Sequence, residues 1–159
     1  MNSSMSVIAG LYKLGNSLFL DKIGHLDQEL VVQKISGSTN PIIWLAGHIT
    51  AVRYHLMNVL GTKSEFPWAK LFEDPYDASK DYPDMSEVKD AWVAVSDQLV
   101  DKICQASEET LQAELKYQLP HKDNTVRGAI VFFAYHESWH LGQISYIRKS
   151  LEMEGLVSF

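Results

Sequence analysis

The sequence predicts an all-α chain: a four-helix bundle with a long crossover between its second and third helices. Three observations predict it. Apolar residues recur at three- and four-residue intervals in four separate stretches. Start and stop residues for helices stand at the ends of those stretches. Residues 62–83 then form a link with three prolines, of a length expected for a crossover, a lid or a binding loop.

The first helix is expected from about Ser4 to Ile23, with Val7, Leu11, Leu14 and Leu18 on one stripe and Ile8 and Phe19 beside it. Asp27 can cap a short piece through Ile35, and Gly37-Ser38 breaks the chain. The second helix opens with Asn40 as N-cap and Pro41 at its first position, where the missing N–H costs nothing. Its stripe is Leu45, His48, Val52, His55 and Val59, and Gly61 is its stop. Five aromatics in the crossover, Phe66, Trp68, Phe72, Tyr76 and Tyr82, suggest that it packs down on the bundle. If so, it should border the open face of any site there.

Asp84-Met-Ser-Glu87 is a capping-box pattern that starts the third helix. Val88, Trp92, Val95, Leu99 and Ile103 form its stripe, and it should run to about Ser107. Leu111, Ala113, Leu115, Tyr117 and Leu119 alternate strictly, which predicts an ordered extended connector. The fourth helix opens at Asn124 or Thr125 and runs to about Glu154, roughly 45 Å at 1.5 Å per residue.

With 159 residues, of which 46% are hydrophobic and 21% charged, the chain is expected to form a single globular domain, 1–159. A net charge of −6 and no basic cluster larger than Arg148-Lys149 argue against nucleic acid as a partner. Cys104 is the only cysteine, so an internal disulfide and a cysteine-based zinc cage are both excluded. The N-terminal stretch has no basic region and is interrupted by Lys13 and Asn16, unlike a signal peptide. No window approaches the roughly 18 continuous apolar residues of a membrane span. A soluble, cytoplasmic protein is expected.

The chemistry concentrates at His136-Glu-Ser-Trp-His140. Two imidazoles four residues apart share a helix face, with Cβ atoms about 5–6 Å apart. Both can reach one metal ion at about 2.0–2.1 Å. They fall on a stripe with Ala129, Phe133, Ile144, Ile147 and Leu151. A pair of hydrogen-bonded core histidines is the plainer alternative. The string also matches the HExxH pattern of zinc proteases. That context is absent: only nineteen residues follow His140, and Leu141-Gly142-Gln143 replaces the metzincin continuation. Glu137 is therefore expected just off the stripe, at the surface, behind a ligand or at an interface. A third ligand must come from elsewhere. His48 and His55 share the second helix but stand about 10.5 Å apart along its axis, so they cannot easily hold one ion together. Spacing does not choose between them, and His25 and His121 sit in connectors.

Asn40-Pro-Ile-Ile-Trp44-Leu-Ala-Gly47-His48-Ile49 together with His136-Glu-Ser-Trp-His140-Leu-Gly142-Gln143-Ile144 resembles the DinB family. The likeness follows the whole chain in helix order and length. It implies an up-down-down-up bundle with His48, His136 and His140 as metal ligands. Three imidazoles would leave positions open on the ion, as catalytic sites do. Nitrogen-only ligation suits zinc or nickel first, with iron, cobalt or manganese as further candidates. Gln143, near His140, could hydrogen-bond a ligand ring or a bound water. The resemblance implies a metal-dependent hydrolase or a thiol-dependent transferase acting on a small molecule or a low-molecular-weight thiol. The alternative is a non-catalytic, metal-stabilised or metal-sensing dimeric module. A second apolar face on the last helix, Phe132, Tyr135, Trp139 and Tyr146, must be covered by a neighbouring helix, a long connector or a second subunit; a homodimer is expected, as the resemblance also implies.

Overall fold

The computed structural model describes residues 3–37, 39–120 and 123–157, with side chains from Met5 onward. The described residues form the long helices α1 (Ser3–Lys22), α3 (Ile42–Val59), α4 (Met85–Gln105) and α6 (Val126–Ser150). Two short helices join them, α2 (Gln28–Val31) and α5 (Glu108–Gln112), and a 3₁₀ turn at Ala69–Phe72 interrupts the crossover. No strand is present among the described residues; one isolated bridge pairs Glu114 with Thr125. The chain is all-α.

Each long helix packs on two others: α1 and α3 both lie against α4 and α6. Local chemistry sets their ends. In α3 the Thr62 N–H donates to the Met57 carbonyl at 2.9 Å and the Gly61 N–H to Asn58 at 3.0 Å. That is a Schellman stop, and Gly61 takes the φ of +80° that it requires. At α4 the Glu87 carboxylate accepts from the Asp84 N–H at 2.9 Å, completing the capping box. Thr125 caps α6 through its hydroxyl, which accepts from the Gly128 N–H at 3.2 Å. Asn40 does not cap α3. Its Oδ1 accepts instead from the Tyr76 N–H at 3.0 Å and so fastens the crossover to the helix start.

Several expectations need correction. The buried face of α1 is Met5, Ala9, Tyr12, Phe19 and Ile23, whereas Val7, Leu11 and Leu14 are exposed. Both stripes have helical period, so α1 is apolar on two sides. The face that holds Tyr12 goes inward because its hydroxyl is satisfied there, donating to the Ile130 carbonyl at 2.8 Å. On α6 the expected Ala129, Ile144 and Ile147 are buried, but so are Val126, Ile130, Ala134, Glu137 and Leu141, so that the inward face is rotated by about one residue away from Phe133, His136 and His140. α6 also ends at Ser150 rather than near Glu154. Glu152 turns the chain with a φ of +60°, and the tail folds back until Leu156 is buried. The connector begins as α5, capped by Ser107, and becomes extended only from Ala113, where its backbone bonds reach Asn124 and Val126. The crossover does pack down: Phe66 and Phe72 are buried, and Trp68, Tyr76 and Tyr82 lie half-buried against the same core. Among the described residues no helix is long and apolar enough to cross a membrane.

Candidate metal centre

α3 and α6 bring His48, His136 and His140 together, and their ring nitrogens face one point. His48 Nε2 lies 3.3 Å from His136 Nε2, and His140 Nε2 lies 3.1 Å from that same atom. Three ligand atoms, one from each ring, fall within 4.8 Å of one another. Nitrogens at about 2.0–2.1 Å from a tetrahedral ion stand about 3.3 Å apart, a spacing that both distances to His136 match. No carboxylate or thiol joins this cluster among the described residues.

For two of the rings the far side decides the tautomer. His48 Nδ1 lies 2.7 Å from the Phe72 carbonyl, an acceptor only, so Nδ1 carries the hydrogen and Nε2 keeps a lone pair. His140 Nδ1 meets Gln143 Oε1 at 2.6 Å, with the same result. His136 Nδ1 is buried without a hydrogen-bond partner among the described residues. Burial also keeps the rings neutral. It lowers His48, and it brings His136 and His140 down to about 4, with repulsion between the rings adding to the effect. Neutral imidazoles with inward lone pairs are what a transition metal needs.

Because α6 is rotated, the histidines stand at the edge of the core rather than in it, half-buried between the two helices. Trp44 stacks on His48, with centroids 4.7 Å apart and planes 10° from parallel, and its indole N–H donates to the Asp74 carbonyl at 2.9 Å. Gly47 explains how the crossover comes so close. A Cβ there would stand 2.1 Å from the Phe72 ring, so only glycine lets Phe72 lie against α3 and present its carbonyl to His48. Trp44, Gly47 and Phe72 are parts of the site that motif spacing alone did not assign. A glycine inside an otherwise sound helix was the available signal of close approach.

The structure places one of the remaining histidines beside the α6 pair. His48 joins the cluster, while His55 points elsewhere, with Nε2 2.8 Å from the Tyr117 hydroxyl. His25 is exposed between α1 and α2, and His121 lies outside the described residues. Glu137 is neither a surface residue nor a base. Only 4% exposed, it accepts from Arg53 Nη2 at 2.7 Å and Nε at 2.8 Å. Arg53 also donates to Ser96 Oγ and the Tyr12 carbonyl, and its guanidinium lies 3.7 Å from the Trp92 ring centre. Both carboxylate oxygens are thus spent inside the bundle.

The arrangement offers three neutral nitrogens, enough to hold an ion with positions left for water or substrate. The DinB superfamily family model matches residues 18–144, a span that includes all three histidines and Gln143. No match to this chain is found among curated proteins. With the helical fold, the histidine cluster and a match over most of its length, the chain belongs to the DinB superfamily.

Proposed function

We propose that this chain binds one divalent transition metal ion through His48, His136 and His140. It uses that ion in the cytoplasm as a metal-dependent hydrolase or a thiol-dependent transferase acting on a small molecule. One observation carries the proposal: three ring Nε2 atoms converge, with His48 and His140 each within 3.3 Å of His136 and fixed from behind by Phe72 and Gln143. An all-nitrogen set favours zinc or nickel, with iron, cobalt or manganese next. When bound, such an ion supplies Lewis-acid activation of water, a thiol or a substrate oxygen. The protein orients the rings and packs Trp44 edge-on against His140 and Phe133 edge-on against His136.

Elemental analysis of protein purified without a nickel column tests the site. One ion per chain is expected. The double variant His136→Ala/His140→Ala should lose nearly all of it, and His55→Ala should keep it. Full occupancy in the double variant refutes the assignment. Turnover on a panel of esters, amides and thiol adducts, with and without metal, then tests the activity.

A second function is favoured by the fate of Glu137. With that carboxylate held by Arg53, no acid joins the cluster among the described residues, as none would in a metal-stabilised or metal-sensing module. A bound ion that raises the melting temperature but supports no turnover on the panel would select it.

A further inference from the structure

An open groove of about 670 Å³ runs along α3 opposite the crossover, from His48 at one end to His55 and Asn58 at the other. Its size is that of a small-molecule site rather than a seat for a partner helix. The crossover side is aromatic and already packed on itself. Phe66 stacks on Phe72 with centroids 5.8 Å apart and on Tyr54 at 5.5 Å, and Trp68 meets Phe66 edge-on at 5.5 Å. Phe66 and Phe72 are buried, so they form a floor; Trp68 and Tyr54 are half-buried, so part of each faces the groove. Ala51 and Ala69 line the space with nothing longer than a methyl group. The charged residues on the lining, Glu65, Lys70 and Glu73, are exposed at the rim and mixed in sign, so the groove selects no net charge.

We propose that this groove binds the body of the ligand whose reactive end meets the metal, and that the body is a flat, uncharged aryl group. The inference rests on the metal-site proposal, since His48, alone of the three histidines, also lines the groove. Preformed ring faces favour offset and edge-on contacts with another ring. A rigid floor also spares most of the ordering cost of binding. The bundle's other hollows lack this combination. The one between α1 and α4 that contains Cys104 holds none of the three histidines, and the one beside Trp139 reaches Gln143 without a comparable aromatic wall.

The test compares two thiols on cobalt-loaded protein, followed by thiolate-to-cobalt absorption. 2-Phenylethanethiol should bind at least about tenfold more tightly than ethanethiol, a ratio that burial of one aryl ring supports. Ala69→Trp, which fills the groove at a half-exposed position, should bring that ratio to within about twofold while ethanethiol binding is kept. Trp68→Ala should lower the same ratio by removing a wall, with circular dichroism checking that both variants are folded. Equal affinity of the two thiols for the unaltered protein overturns the proposal, as does an undiminished preference in both variants. Failure of the protein to bind cobalt at the three histidines overturns the metal site and this inference together. Cobalt binding without aryl preference overturns this inference alone.

Discussion

Glu137 lies between two metal-site histidines, yet its environment is that of a core ion pair. A buried pair is costly to break from one side, because the partner charge is left without compensation. Glu137→Ala should therefore destabilise the fold by about 3–5 kcal/mol. The double variant Arg53→Met/Glu137→Met should recover much of that loss, as apolar replacements of buried pairs often do. Denaturant unfolding of the three proteins checks both expectations. A catalytic base at this position would show the opposite pattern, with lost turnover and little change in stability. The histidines lead to a pH dependence of known sign. In the folded, metal-free chain His136 and His140 titrate near 4, below the usual value of about 6.5. As pH falls, the unfolded chain takes up these protons first. The stabilisation is present above about 6.5, declines toward about 4 and then levels off. Unfolding of chelator-treated protein across this range should show the decline, and His136→Ala/His140→Ala should flatten it.

Among elements, the crossover is the one most closely tied to the site. Gly47→Ala would place a methyl group against the Phe72 ring, and overpacking of that kind costs about 1–3 kcal/mol. The expected result is a lower denaturation midpoint with helical content retained, and weaker metal binding because the Phe72 carbonyl shifts away from His48. Unchanged metal affinity would mean that the carbonyl does not set the ring. Much of this architecture was legible in the sequence. Caps and stops gave the starts of α4 and α6 and the end of α3, because those signals act through neighbouring backbone atoms. The histidine pair on α6 was legible from its spacing, and His48 from a motif resemblance. Helix rotation was not. In α1, Val7, Leu11 and Leu14 have the same period as the stripe that is buried, and only a partner surface decides between two such faces. The burial of Glu137 was hidden for a related reason. Its partner Arg53 stands 84 residues away on another helix, a relation that local patterning does not carry.

At the scale of the whole molecule, the rotation of α1 and α6 leaves an apolar surface on the outside. Tyr135, Trp139 and Tyr146 on α6 are 60%, 57% and 64% exposed, and Leu11 and Leu14 on α1 are 45% and 55% exposed. Phe132, expected on that face, is half-buried against the core instead. Gly142 links the two runs: it borders the hollow that holds Leu11 and Leu14 and also the one that holds Trp139 and Tyr146. Isolated exposed apolar residues are ordinary, but a continuous patch marks an interface. We propose that it is covered by a second copy of the chain. Sedimentation equilibrium should give twice 18.0 kDa at micromolar concentration, and Trp139→Glu should return the mass to 18.0 kDa. A monomeric parent protein sinks the dimer, and a dimeric variant moves its interface elsewhere. The attachment of the crossover has a consequence for motion. Asn40, just before α3, and Trp44 and His48 within it hold this one segment at Tyr76, Asp74 and Phe72. Opening the segment frees a ligand ring, and holding that ring on an ion must, by reciprocity, hold the segment closed. Metal occupancy would then slow amide exchange at Tyr76, a crossover residue held by Asn40 rather than by any ligand to the ion.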